Sequence, residues 1–112
     1  MKIHSYITDS GRDLIMEYID SLEIEERVDA FSVLESMEKG EFDKIFYKPW
    51  EKKIYEVYFR KHNRIFYVVV NGENIYLLHA CKKQKNQTEK KDKKIVLKRA
   101  KELGKILNKK FI

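Results

Sequence analysis

Arg64 opens an otherwise almost wholly apolar run ending at Val70, and Lys82-Lys83 follow the next such run, Ile75 to Cys81. Arg60 and Lys61 end the run before them. Fixed cations at the ends of neighbouring strands, with Tyr58, His62 and Tyr67 close in sequence, suit phosphodiester chemistry on single-stranded RNA. Guanidinium and ammonium groups stabilise charge that grows on a phosphate in the transition state. Aromatic rings stack unpaired bases. A plainer reading stays open beside this one: Tyr58 and Tyr67 pack a sheet, and the cations keep its edges soluble.

Other chemistries find less support. His4, His62, His79 and Cys81 never reach the paired spacings of structural zinc sites. His79 and Cys81 stand two apart on one strand face, which suits two ligands or a Cys–His nucleophilic pair, but no third orienting group is evident. A packed histidine beside a small buried thiol explains them more simply. Four scattered glycines cannot build a phosphate loop or a dinucleotide fingerprint, and no serine sits in a nucleophile elbow. No metal and no small-molecule cofactor is expected.

The elements that must position the cations follow from periodicity. Lys2 to Ile7 alternates as a short strand, and Thr8-Asp9-Ser10-Gly11 supplies helix-capping side chains. Leu14, Ile15, Tyr18, Ile19 and Leu22 share one helical stripe. After a break near Ser21–Glu23, Ile24, Val28, Phe31, Leu34 and Met37 form a second stripe that stops at Gly40. Residues 41–53, with the only proline, read as a loop. The period then changes to two over Ile54–Arg60, Arg64–Val70 and Ile75–Cys81, with Asn71-Gly72 as a two-residue hairpin turn. Thr88 is the expected N-cap of a last helix carrying Val96, Ala100, Leu103 and Leu107. The fold class is therefore α+β, in the order β-α-α-β-β-β-α, with helices packed against an antiparallel meander.

With 112 residues the chain has room for one compact domain, 1–112. Its 43% apolar and 38% charged residues exclude a disordered tail, and its lone cysteine excludes a disulfide scaffold. No apolar run approaches the roughly 18–20 residues of a membrane span, and no signal peptide is evident at the N-terminus, so a cytoplasmic protein without a membrane partner is expected. Residues 1–51 carry 6 basic and 13 acidic side chains, whereas residues 82–112 carry 13 basic and 3 acidic ones. Such a dipolar surface suits a polyanionic partner.

Four motifs in order resemble those of HigB-type toxins in the RelE/ParE superfamily. Lys48-Pro49-Trp50 followed by Ile54–Arg60 is similar to their KPL…LWELRF stretch, and Arg64-Ile65-Phe66-Tyr67 to YRIFYF. Tyr76–Lys83 resembles VLLHAFKKK, and Thr88 onward resembles KTPKKEIELA. The resemblance implies a RelE-like fold and a toxin of a type II toxin–antitoxin module. It implies metal-independent cleavage of mRNA on the ribosome, in which the ribose 2′-hydroxyl attacks the adjacent phosphate and leaves a cyclic phosphate end. Carried over residue by residue, Arg64 would bind the scissile phosphate, and Lys83 or its neighbour Lys82 would share that role. Glu56 and Tyr58 occupy strand positions where RelE uses lysines, so either would serve as base or substrate contact. Lys48, Arg60, Lys61 and Lys85 are the expected RNA or ribosome contacts. Implied partners are the ribosome, mRNA and a cognate antitoxin, expected to be a helix-turn-helix protein. The chain departs from the pattern where Tyr58 replaces the arginine of ELR, Asn63 the tyrosine before RIFY, and Cys81 the phenylalanine of HAF. The alternatives are a ParE-like inhibitor of DNA gyrase and a non-catalytic RNA-binding relic.

Overall fold

The computed structural model describes residues 1–60, 62–83 and 88–112; Lys61 and Lys85 lie outside them. The elements are β1 (Lys2–Ser5), α1 (Leu14–Asp20), α2 (Ile24–Glu38), β2 (Phe46–Glu51), β3 (Ile54–Phe59), β4 (Asn63–Val70), β5 (Asn74–Lys82) and α3 (Lys90–Leu107). They build an α+β fold of the RelE-like kind. The sheet order is β1-β5-β4-β3-β2, with β1 parallel to β5 and every other pair antiparallel. The expected turn closes the last hairpin: Asn71 and Gly72 have φ of 56° and 70°, and the Glu73 N–H donates to the Val70 carbonyl at 3.3 Å.

The central strand β4 is buried on both faces, which is why it reads as a continuous apolar run after Arg64. On one face Val57, Ile65, Tyr67, Ile75 and Leu77 pack against Ile15 and Ile19 of α1 and Ala30, Leu34 and Met37 of α2. On the other, Ile54, Phe66, Val68, Val70 and Leu78 pack against Val96 and Ala100 of α3 and against Phe111. Leu103 and Leu107 flank this second cluster, as the stripe on the last helix predicts. Gly104 lets the chain after α3 fold back, because a Cβ there would lie 2.5 Å from the Lys109 carbonyl oxygen.

Four expectations are corrected. Residues 41–53 are not all loop: a turn of 3-10 helix at Phe42–Lys44 leads into edge strand β2, and the register shifts between Pro49 and Glu51. Proline is tolerated there because an edge strand has one side free of ladder bonds. The cap of α1 is Asp13, whose carboxylate accepts the Met16 N–H at 3.0 Å, while Thr8 accepts from the Arg12 N–H upstream. Thr88 does not cap α3; its hydroxyl accepts the Trp50 indole N–H at 2.8 Å, and Glu89 takes the cap position. On α2 the buried stripe is Ala30, Leu34 and Met37, leaving Ile24, Val28 and Phe31 66%, 61% and 47% exposed. Apolar residues occur all round that helix, so periodicity alone could not choose the face.

Candidate functional site

Alternation along each strand and register between strands decide which side chains meet. Phe46, Tyr58, Arg64 and Cys81 form one cross-strand row over β2, β3, β4 and β5, and Lys48, Glu56, Phe66 and His79 form the next. Both rows lie on the α3 side of the sheet, at the end beyond the apolar patch that α3 covers. Here a groove of about 370 Å³ is lined by Lys48, Trp50, Glu56, Arg64, Thr88 and Lys93, among others. Lys93 of α3 reaches Glu51 of β2 at 3.2 Å and closes one rim.

Arg64 and Glu56 are the centre of the site. They are 4% and 1% exposed. The Arg64 Nε–H donates to Glu56 Oε2 at 2.9 Å, and Nη2 donates to the same oxygen. The Arg64 guanidinium also lies over the Phe66 ring, 4.9 Å from its centroid, and Phe66 meets Trp50 edge-on at 5.0 Å. A buried ion pair needs such support, because desolvation of both charges offsets much of their attraction. Glu56 Oε1 is buried with no hydrogen-bond partner among the described residues, and Lys48 Nζ lies 3.4 Å from it. Lys48 and Lys83 both bring their ammonium groups over the Tyr58 ring, at 5.6 and 5.8 Å. Three cations thus stand around one carboxylate and one phenol.

Residues 17–101, about three quarters of the chain, match the family model described as Phage derived protein Gp49-like (DUF891). The chain belongs to that family. The Gp49-like family is associated with toxins of toxin–antitoxin modules of the RelE/HigB kind. No curated protein matches the chain.

In this Gp49-like protein, Lys48, Glu56, Tyr58, Arg64 and Lys83 come together, whereas Lys82 and Arg60 do not join them. Lys82 pairs with Asn63 in register and so falls on the α2 side. There the Asn63 amide donates to Glu26 at 3.0 Å. That bond, aided by the Lys82 charge, holds the Glu26 carboxyl below its usual range. Arg60, at φ 50°, donates to Asp29 at 2.5 Å and lies 3.6 Å from Glu25, both on α2. Tyr67 is only 1% exposed within the α1–α2 core and is a packing residue. The pleat puts Lys82, one residue away from Cys81 and Lys83, on the opposite face, whereas Arg60 leaves the strand at a left-handed turn and turns to α2.

Behind the groove, His79 and Cys81 do have a third group. His79 Nε2–H donates to Asp92 on α3 at 2.8 Å, and Arg99 donates to His79 Nδ1 at 3.4 Å. Burial keeps the imidazole below its usual pKa although Asp92 opposes that shift. Burial, helped by Asp92, pushes the Cys81 thiol up to about 12. The His79, Cys81 and Asp92 donor atoms lie within 4.8 Å of one another. In this arrangement, however, both imidazole nitrogens are engaged and the thiol is held protonated, so the cluster pins the first turn of α3 to β5. Asp92 was not legible as their partner, because it lies on a different element eleven residues after Cys81. Among the described residues, no helix is long and apolar enough to cross a membrane.

Proposed function

We propose that this chain is the toxin of a type II toxin–antitoxin module and that it cleaves mRNA on the ribosome without a metal. The observation that carries this reading is the convergence of Arg64, Lys48 and Lys83 around Glu56 and Tyr58 at the open end of the sheet. Arg64 receives the scissile phosphate with the guanidinium hydrogens that Glu56 leaves free. The free Oε1 of Glu56 takes the proton of the 2′-hydroxyl as its oxygen attacks phosphorus. Lys48 and Arg64 steady the dianionic phosphorane. Tyr58, with two ammonium groups close to its ring, donates its proton to the departing 5′-oxygen, leaving a 2′,3′-cyclic phosphate. Exposed lysines of α3, among them Lys90, Lys94, Lys101 and Lys105, supply long-range attraction to ribosomal RNA. A cognate antitoxin holds the protein inactive.

Induction of the chain alone tests this reading. Growth arrest with mRNAs cut inside reading frames is the expected result. Normal growth with intact transcripts, at confirmed expression, contradicts it. DNA breaks linked to gyrase without RNA cuts would identify a ParE-like inhibitor instead.

A further inference from the structure

Phe46 is 76% exposed, on an edge strand, in the same cross-strand row as Tyr58 and Arg64. Burying a phenylalanine side chain is favourable relative to leaving it in water. Elsewhere β2 is protected in the usual ways for an edge, by Lys48, Pro49 and a register shift. Phe46 does none of this. Its place in the row is two strands from Arg64, roughly 10 Å at the usual strand spacing, with the Lys48 ammonium on the neighbouring row. An aromatic ring left in water beside fixed cations matches the recognition of an unpaired nucleotide, in which cations take phosphates and a ring takes the base.

We infer that Phe46 is a stacking position for one unpaired nucleobase next to the phosphate held by Arg64. This rests on the function proposed above and adds the requirement for a single-stranded base at a fixed distance from the cut. Charge favours RNA over a protein occupant, because the cations Lys48, Arg64, Lys83 and Lys93 around the groove outnumber the carboxylates Glu51 and Glu56.

The test is binding of the full chain to a non-cleavable 2′-O-methyl mRNA, free and on a programmed ribosome, with each nucleotide in turn made abasic. One abasic position beside the scissile phosphate is expected to weaken wild-type binding roughly 5- to 150-fold. Phe46→Leu should lose the same factor and then be indifferent to that abasic position, while Phe46→Trp should restore both. Thermal melts of the variants verify folding, which an exposed residue should not disturb. Phe46→Leu binding as tightly as wild type, or still sensing the abasic position, overturns the stacking role. Loss of antitoxin binding alone makes Phe46 a protein contact and overturns it as well. Failure of wild type to bind mRNA in either setting overturns the nuclease reading itself, a distinct outcome.

Discussion

One face of one sheet carries two opposite environments. Where α3 covers it, Ile54, Val68, Val70 and Leu78 meet Val96 and Ala100 in a dry apolar layer. One pleat further along the same strands stand Glu56 and Arg64, with Lys48 beside them on β2. Strand propensity cannot separate these halves, since β3, β4 and β5 run through both. The difference lies in what covers them. A helix favours apolar partners by removing them from water, whereas charges just beyond its end persist only by pairing with one another. Phe66 is the junction, packed among apolar side chains of the α3 cluster and under the Arg64 guanidinium. The site is a structural consequence of where α3 begins.

Breaking the charged half alone should have the largest effect. Glu56→Ala leaves Arg64 buried without its partner and should cost about 3–5 kcal/mol of stability, read from urea unfolding. Replacing both, as Glu56→Leu with Arg64→Met, should recover most of that loss while abolishing cleavage. A double variant no more stable than Glu56→Ala would show that the pair is not the energetic unit described here. The covered half answers to packing instead. Gly104→Ala places a methyl against the Lys109 carbonyl and should cost about 1–3 kcal/mol, with cleavage per folded molecule unchanged.

Two smaller effects sharpen the boundary. Arg60 is engaged by Asp29 and Glu25 on α2, on an exposed surface. Arg60→Ala should therefore change neither the unfolding midpoint nor mRNA cleavage appreciably; a large loss of cleavage would extend the site to the β3–β4 turn. His79 is held neutral, its pKa below the usual 6.5 in the folded state. The unfolded chain then binds more protons between the two pKa values, so stability is full above pH 6.5 and falls as pH drops below it. His79→Gln should flatten that part of the stability–pH profile, and an unaltered profile would exclude the burial of His79 as its cause.

Much of this arrangement was legible from residue order. Period-two alternation located three strands of the meander, and Asn71-Gly72 its last turn. Arg64 and Lys83 stood out as cations bordering apolar runs. Strand β2 escaped because Pro49 reads as a loop, although an edge accommodates it. Lys82 lies close to Arg64 in sequence but on the other side of the sheet, which register alone reveals, and Arg60 leaves the strand alternation at a left-handed turn that no local motif announces. Asp92 and Phe46 depend on long-range docking and exposure, for which no local pattern exists.

The central claim is that Arg64 acts on the phosphate in the transition state rather than as a general attraction for RNA. Its loss should lower turnover more than ribosome binding. The direct measurement compares Arg64→Ala, Arg64→Lys and Lys101→Ala in mRNA cleavage on purified ribosomes, at matched occupancy. Loss of one such donor costs on the order of 3–4 kcal/mol, so Arg64→Ala should be roughly a hundred- to a thousandfold slower. Lysine keeps the charge without the planar fork and should rescue only part of the rate. Lys101→Ala, on the exposed face of α3, should cleave almost as fast as wild type. Cleavage by Arg64→Ala at the wild-type rate would contradict the account and leave Arg64 as a packing residue paired with Glu56.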